Sequence, residues 1–269
     1  MFAIFQPFFY NLAMFSFVHR DIDFAHKLDY ASSPKDEYGK HMHPFFELIY
    51  FVSGDVEYSV DGEKKKLRPG DFVLIQPGKF HFAEVNRDVL YERYVLKAPL
   101  TTMTTHIQRS LFERPAFYRL TNEEISIFKS LDSYYARMQD DDMYIICLSK
   151  LLELFALLNV TKQRHLNDDE SVVSKIVHYI EKNIDENITL TSMSVALSYS
   201  ESYISNSFKK EMHIPIMKYI RSKKIIYAHS LIQNGEKPQN VSQKLNFSDY
   251  STFYRQYLKV IGIPPSKDK

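Results

Sequence analysis

Two stretches near the C-terminus carry side chains of the kinds that read nucleic acid, spaced so that they share one side of a helix. In Leu190 to Met212 (LTSMSVALSYSESYISNSFKKEM), Ile204, Phe208 and Met212 recur every four residues. That repeat claims one helix face and leaves Ser202, Ser205, Asn206 and Lys209 on the other. Serine and asparagine suit base edges, while Lys209 and Lys210 suit phosphates. Val241 to Ile261 (VSQKLNFSDYSTFYRQYLKVI) repeats the arrangement: Phe253, Tyr257 and Ile261 face inward, leaving Tyr250, Ser251, Tyr254 and Arg255 outward, with Lys259 as a phosphate contact. Arg255 is the strongest single reader, because a guanidinium can donate two bonds to one guanine.

Each stretch has the pieces of a helix-turn-helix, which lays its second helix in a major groove. In the first, Met193, Ala196 and Leu197 form the inner face of the entry helix, Ser198-Tyr199-Ser200 is the turn, and Ser200 caps the next helix. In the second, Val241, Leu245 and Phe247 face inward, and Ser248 or Asp249 is the cap. Pro215 to Gln233 reads as a long helix between them, with Lys218, Arg221, Lys223 and Lys224 as further phosphate contacts. Such a helix can hold two readers about one DNA turn, roughly 34 Å, apart.

A second set of residues could do metal or ligand chemistry. His41-x-His43 on a strand points two imidazoles to one face, and Glu47 lies further along that face. The surrounding runs, GKHMHPFFELIYFVSG and PGDFVLIQPGKFH, look like the two cupin motifs. In that resemblance His41, His43, Glu47 and His81 fall at the four metal-ligand positions, a donor set suited to iron, manganese, zinc or nickel. Gln76 stands where the second motif usually has proline. Sensor cupins often keep these residues as pocket lining without metal, so the expectation is no cofactor, with a divalent metal as the alternative. The mouth of such a barrel would bind a small effector through His41, His43, Glu47, Tyr50, Tyr58, Phe72 and His81, with Phe80 nearby. Aromatic rings stack on sugars, which makes a carbohydrate the first effector to consider.

The elements that must position these residues follow from patterning. From about 38 to 97 the chain is a run of short strands separated by Gly and Pro turns, with Asp61-Gly62 as a two-residue hairpin, the pattern of a small barrel or sandwich. Beyond Pro99 the pattern is helical. Asn122 is expected to cap one helix, and a second, from about Met143 to Asn159, is apolar nearly all round, which points to a core helix that also packs on a second subunit. Gln163 to Glu170 reads as a linker, and Val172 opens the next helix. Met1 to Val18 is apolar but interrupted by Pro7 and Asn11, without a basic start or cleavage site; it is expected to be an arm packed on the body, and no other segment is expected to cross a membrane.

The residues from Val172 to Ser266 resemble the DNA-binding domain of the AraC/XylS transcription regulators. The matching pieces are SESYISNSFKKEMHIPIMKYIRSKKIIYAHSLI and NFSDYSTFYRQYLKVIGIPPS, including the closing Gly262 and Pro265. The resemblance implies base contacts at Ser202, Ser205, Asn206, Tyr250, Ser251, Tyr254 and Arg255. Three positions depart from the pattern. Asn246 replaces a usual Gly and His213 another, while Lys267-Asp268 replaces a usual Tyr-Arg, which puts the last backbone contact in doubt.

Composition bounds the rest. Cys147 is the single cysteine, which excludes a disulfide framework and leaves a reducing cytoplasm as the expected location. The overall charge of +1 hides an imbalance: Ser171 to Lys269 holds 14 basic and 8 acidic residues, leaving 34 − 14 = 20 basic and 33 − 8 = 25 acidic in the remainder. A basic C-terminal third beside an acidic remainder fits a nucleic-acid reader joined to a sensing module. No nucleophile motif, phosphate loop or dinucleotide fingerprint is present.

The sequence therefore predicts an α+β chain of two domains. Residues 1–162 form a cupin-like sensing and dimerising domain, with its barrel at about 38–97 and helices at about 122–160; 163–171 are a linker; 172–269 bind DNA. The expected function is a cytoplasmic, ligand-responsive activator that is not an enzyme. Its expected partners are promoter DNA, a small-molecule effector, a second copy of itself and RNA polymerase. The alternatives are a metal-binding cupin enzyme with an accessory DNA-binding domain, and a regulator whose β domain binds another protein.

Overall fold

The computed structural model describes residues 12–30, 39–86, 88–112, 116–160 and 171–268, the side chains of 12–14 and 100 excepted. Among them two antiparallel sheets face each other. One runs in the order β1 (Leu12–His19), β2 (Ile22–Tyr30), β8 (Leu90–Ala98), β3 (Phe46–Ser53), β6 (Asp71–Ile75), β9 (Phe117–Arg119). The other is β5 (Glu63–Lys66), β4 (Val56–Val60), β7 (His81–Val85).

Strand β3 shows how sequence becomes layer. All of Phe46 to Phe51 is buried, because both faces of the larger sheet are covered. Phe46, Leu48 and Tyr50 point outward to helices α1 (Thr105–Phe112), α2 (Asn122–Tyr135) and α3 (Asp140–Val160), which bury Leu111, Phe128, Leu151 and Phe155 against them. Ile49 and Phe51 point inward with Val73, Ile75, Tyr91 and Val95, and meet Val56, Tyr58 and Val60 of the smaller sheet. The hairpin expected at Asp61-Gly62 is present: both residues have positive φ (47° and 88°) and join β4 to β5.

Over residues 12–18 the arm expected to pack on the body is most of edge strand β1, paired with β2; residues 1–11 lie outside the described residues. Strand β2 precedes the expected barrel, and IDFAHKLDY mixes charge into its alternation; its half packed toward the helices (Ile22, Phe24) carries the signal. The cap of α2 is Thr121, in a reciprocal capping box with Glu124, rather than Asn122. Helix α3 is long and apolar enough to cross a membrane by length and composition; Met143, Cys147, Leu151, Leu154, Phe155 and Leu158 bury one side of it in the outer core. Of the expected linker, 163–170 lie outside the described residues, and Ser171 is the N-cap of α4.

The remaining helices are α4 (Val172–Lys182), α5 (Leu190–Leu197), α6 (Glu201–Met212), α7 (Ile216–Gln233), α8 (Pro238–Lys244) and α9 (Tyr250–Ile261). Two small cores form around them. Ile176, Ile180, Met193, Ile204, Phe208, Met212 and Tyr219 make the first, and Ile225, Ile232, Val241, Leu245, Phe253 and Tyr257 the second. Helix α7 contributes to both. Left-handed residues end the elements where the sequence departs from glycine: His213 (φ 59°) after α6 and Asn246 (φ 58°) after α8. Ala196, expected to face inward, is exposed. Asp268 is buried and accepts bonds from His229 Nδ1 at 2.6 Å and from the Tyr257 hydroxyl and the Gln233 amide, so it closes the second core where the usual Tyr-Arg is missing.

Candidate nucleic-acid interface and effector site

Each reading helix is fixed at its N-terminus by a side-chain cap. Ser200 accepts from the Tyr203 N–H at 3.2 Å and Asp249 from the Thr252 N–H at 2.7 Å. Their buried repeats, Ile204, Phe208 and Met212 in α6 and Phe253 and Tyr257 in α9, set the rotation; Ile261 is only partly buried. That rotation leaves Ser202, Asn206, Lys209, Lys210, Ser251, Arg255 and Lys259 exposed, with Ser205, Tyr250 and Tyr254 half-buried. Arg255 Nη2 donates to Thr252 Oγ1 at 3.4 Å, one turn back on its own helix.

Lys218 and Arg221 on α7 are exposed, but Lys223 and Lys224 are not: they are 8% and 7% exposed. The phosphate role expected for these two is overturned by the same periodicity. Lys223 falls four residues after buried Tyr219, and Lys224 four after buried Ile220. Lys223 Nζ donates to Glu181 Oε1 at 2.7 Å and lies 3.5 Å from Asp61 Oδ2. Lys224 Nζ donates to the carbonyls of Glu186 and Leu245, both at 2.8 Å, tying the first unit to the second.

In the sheet domain His41, His43, Glu47 and His81 converge, with one potential ligand atom of each within 4.8 Å of the others. Backbone pairing puts them there. His41 and His81 exchange N–H to O bonds at 3.2 and 3.0 Å, and Glu47 sits inward on β3. Each imidazole is oriented by a carbonyl two residues away: His41 Nδ1 donates to Gly39 at 2.6 Å, His43 to Phe45 at 2.9 Å, His81 to Lys79 at 2.9 Å. All three Nε2 atoms are left to face the cluster. His43 Nε2 is 3.0 Å and His81 Nε2 3.2 Å from Glu47 Oε2. The His81 contact lies outside hydrogen-bond geometry, so its Nε2 is a buried nitrogen with no hydrogen-bond partner. Burial lowers the pKa of His43 to about 4, against the opposing pull of Glu47. Burial, then the charge of His81, lowers His41. Burial raises Glu47, but the nearby His43 and His81 imidazoles outweigh that and hold it well below the usual carboxylate range. A carboxylate therefore faces three imidazole nitrogens, a donor set that could hold a divalent cation.

Tyr58 shares this interior, its ring stacked 6.5 Å from His81. Tyr50 and Phe72 do not. Tyr50 is three residues from Glu47 on the same strand, and an odd separation puts it on the opposite face. Its ring packs on Tyr94 and Phe128 under α2, as Phe72 packs on Tyr118 and Phe128. Phe80 flanks His81 and likewise turns away, into the first helical core. Gln76, the departure from the cupin pattern, donates to the carbonyls of Leu111 and Phe112 at 2.8 and 3.2 Å, anchoring the end of α1.

Sequence reasoning missed a third group. Asp61 and Lys79 from the sheet domain meet Glu181 of α4 and Lys223 of α7: Lys79 Nζ lies 3.3 Å from Asp61 Oδ2 and 2.8 Å from Glu181 Oε1. Burial works against the charge on Glu181, but Lys223 and Lys79 lower its pKa to about 2. A cleft of about 380 Å³ opens beside them, lined by Gln76, Phe112 and Ile226 among others. No local pattern announces this group, because Asp is ordinary in a hairpin turn and Lys is ordinary on a helix.

Comparison with known proteins accounts for both halves. Residues 27–155 match the AraC-like ligand binding domain family, and residues 193–269 match a helix-turn-helix domain family. The chain is 24% identical over 261 residues to YdiP of Escherichia coli (strain K12), covering 88% of this chain and 82% of that protein. YdiP is described as an uncharacterized HTH-type transcriptional regulator. It is 24% identical over 230 residues to YobQ of Bacillus subtilis (strain 168), described in the same words, covering 85% of this chain and 87% of that one. A crystal structure of ToxT from Vibrio cholerae O395 aligns over 92% of this chain and 96% of its own, at 11% identity and a TM-score of 0.42. With an AraC-like ligand-binding domain joined to a helix-turn-helix domain, the chain is an AraC-family transcription regulator.

Proposed function

We propose that α6 and α9 enter two successive major grooves of one promoter, with α7 as the spacer. Helix α7 has 18 residues and so spans about 27 Å. The observation that carries this reading is the pair of capped helices whose buried repeats turn short polar groups and one arginine outward. Ser202, Ser205, Asn206, Tyr250, Ser251, Tyr254 and Arg255 contact base edges. Lys209, Lys210, Lys218, Arg221 and Lys259 contact phosphates. In vitro selection of DNA with the full chain, followed by Arg255→Ala, tests it: the change relaxes preference at one base pair if the reading holds, and leaves the selected sequence untouched if it does not.

The sheet domain binds a small effector at the histidine cluster, entered past half-exposed His41. With Tyr50 and Phe72 on the far face, less of an aromatic wall supports a sugar. The cluster also supports a divalent metal, held by His41, His43 and His81 through Nε2 and by Glu47. The carbonyl bond at every Nδ1 fixes the ring and leaves Nε2 free to bind a metal. A resident metal would supply a Lewis-acidic contact for an effector oxygen or nitrogen; no enzymatic turnover belongs to this reading.

Helix α3 carries a second copy of the chain, because Ile145 and Leu152, one heptad apart, are 62% and 39% exposed. The regulator works as an activator with RNA polymerase in the cytoplasm. Sedimentation of Ile145→Glu against the unaltered chain tests the dimer: a shift to monomer supports it, and an unchanged mass removes it.

A further inference from the structure

Strand β7 has two faces with different business. His81 turns into the histidine cluster, while its neighbours Phe80 and Phe82 belong to the core of the first reading unit, with Ile176, Phe208 and Met212. The Phe80 ring sits 6.2 Å from Tyr219 of α7, edge-on, and the Phe82 ring 5.6 Å from His213, the residue that ends reading helix α6. The strand therefore has no slack side: a movement that follows His81 is a movement of the packing beneath α6.

The Asp61-Gly62 turn locks the same strand. Asp61 N–H donates to the Phe80 carbonyl at 2.7 Å, and Asp61 Oδ1 accepts from the Phe80 N–H at 2.9 Å and the Tyr219 hydroxyl at 2.8 Å. Two glycines show how tight the seam is. A Cβ on Gly62 would stand 2.7 Å from Val173 Cγ1 of α4, and one on Gly78 would stand 3.0 Å from Ile226 Cγ2 of α7. Gly70 has a similar backbone angle (φ +91°), but its Cβ would meet nothing nearer than Arg119 Nε at 4.0 Å.

We propose that β7, clamped by Asp61, is the coupling element that passes the state of the histidine cluster to reading helix α6, with Asp61, Phe80 and Phe82 as its positioning residues. This rests on the effector reading of the cluster and adds the route. The second unit is one step further from the cluster, reached through α7 and through Asn246, whose side chain donates to the Asp185 carbonyl at 2.8 Å. Coupling is thus strongest on the DNA half read by α6.

A double-mutant cycle on the full chain tests the route without an effector. His81→Ala disturbs the cluster, Gly62→Ala wedges the seam, and Gly70→Ala repeats the backbone strain without the wedge. The expected result is that His81→Ala changes affinity for the selected DNA by about 5-fold or more in the unaltered and Gly70→Ala backgrounds. In the Gly62→Ala background the change is expected to fall to about 2-fold or less. If Gly62→Ala does not fold, Gly78→Ala and Asp61→Asn supply the same disruption. Equal effects of His81→Ala in all backgrounds, or no effect in the unaltered chain, overturn the proposal. Hydrogen exchange of the free chain separates this from failure of the DNA reading. His81→Ala should speed exchange in α6 and not in α9 even if no DNA is selected; equal or no change in the two helices also overturns the route.

Discussion

The hydroxyl of Tyr219 donates to Oδ1 of Asp61 at 2.8 Å across 158 residues of chain. It joins the middle of the DNA-binding module to a hairpin tip of the sheet domain. Tyr219→Phe removes one donor while the Phe80 N–H still satisfies the carboxylate, so it should cost about 1 kcal/mol in denaturant unfolding. Asp61→Ala leaves Lys79 and Lys223 with Glu181 alone and should cost more, about 3 kcal/mol. Equal losses for the two variants would show that the charges at the seam contribute little.

Basic residues close together on α7 should behave differently. Lys218→Ala or Arg221→Ala should weaken binding to every DNA sequence alike and lower the salt slope by about one. Lys223→Met should leave the slope unchanged and reduce stability, because its ammonium is held by Glu181 inside the protein. Titrating affinity against salt for the three variants decides this, and a reduced slope for Lys223→Met would return that residue to the DNA surface.

Metal binding gives a test separate from DNA. Cobalt titrated into metal-free protein should bind once per chain with a ligand-field spectrum, and His43→Ala should abolish it. No binding at stoichiometric cobalt would leave the cluster as an effector pocket alone.

The same cluster predicts a pH effect. His43 resists protonation down to about 4 in the folded chain, against an ordinary 6.5. The unfolded chain binds that proton first, so without metal the folded state loses stability as pH falls from 6.5 toward 4 and gains nothing from this group above 6.5. His43→Gln should flatten that part of the stability curve, and bound metal should do the same. An unchanged slope in His43→Gln assigns the loss to other groups.

Much of this was legible because it is local. The four-residue repeat of Ile204, Phe208 and Met212 fixes the rotation of α6, and Ser200 and Asp249 mark helix starts. Asp61-Gly62 marks a hairpin and the His-x-His run a cluster. The failures are failures of partner. Lys223 and Lys224 look like any basic helix pair until Glu181 and the carbonyls of Glu186 and Leu245 are brought to them. Tyr50 and Phe72 look like pocket residues until the sheet gains a second covered face. Strand β2 hides because its polar residues occupy buried sites: His26 sits between Glu92 and Asp132, and Asp29 is held by Arg93 at 3.3–3.4 Å.

The two reading helices should also divide the work unequally. Helix α6 offers serine and asparagine, whereas α9 offers Arg255 between half-buried tyrosines. Arg255→Ala should cost about 1–3 kcal/mol in affinity and relax one base pair; Asn206→Ala should cost less. The reverse order, measured on the selected site, would assign the discrimination to α6.

Hydroxyl-radical footprinting of the full chain on its selected DNA tests the central claim most directly. Two readers joined by α7 predict two protected segments on one face of the duplex, centred about one helical turn, roughly 10 base pairs, apart for each bound chain. A single protected segment, or protection that moves freely with sequence, contradicts it.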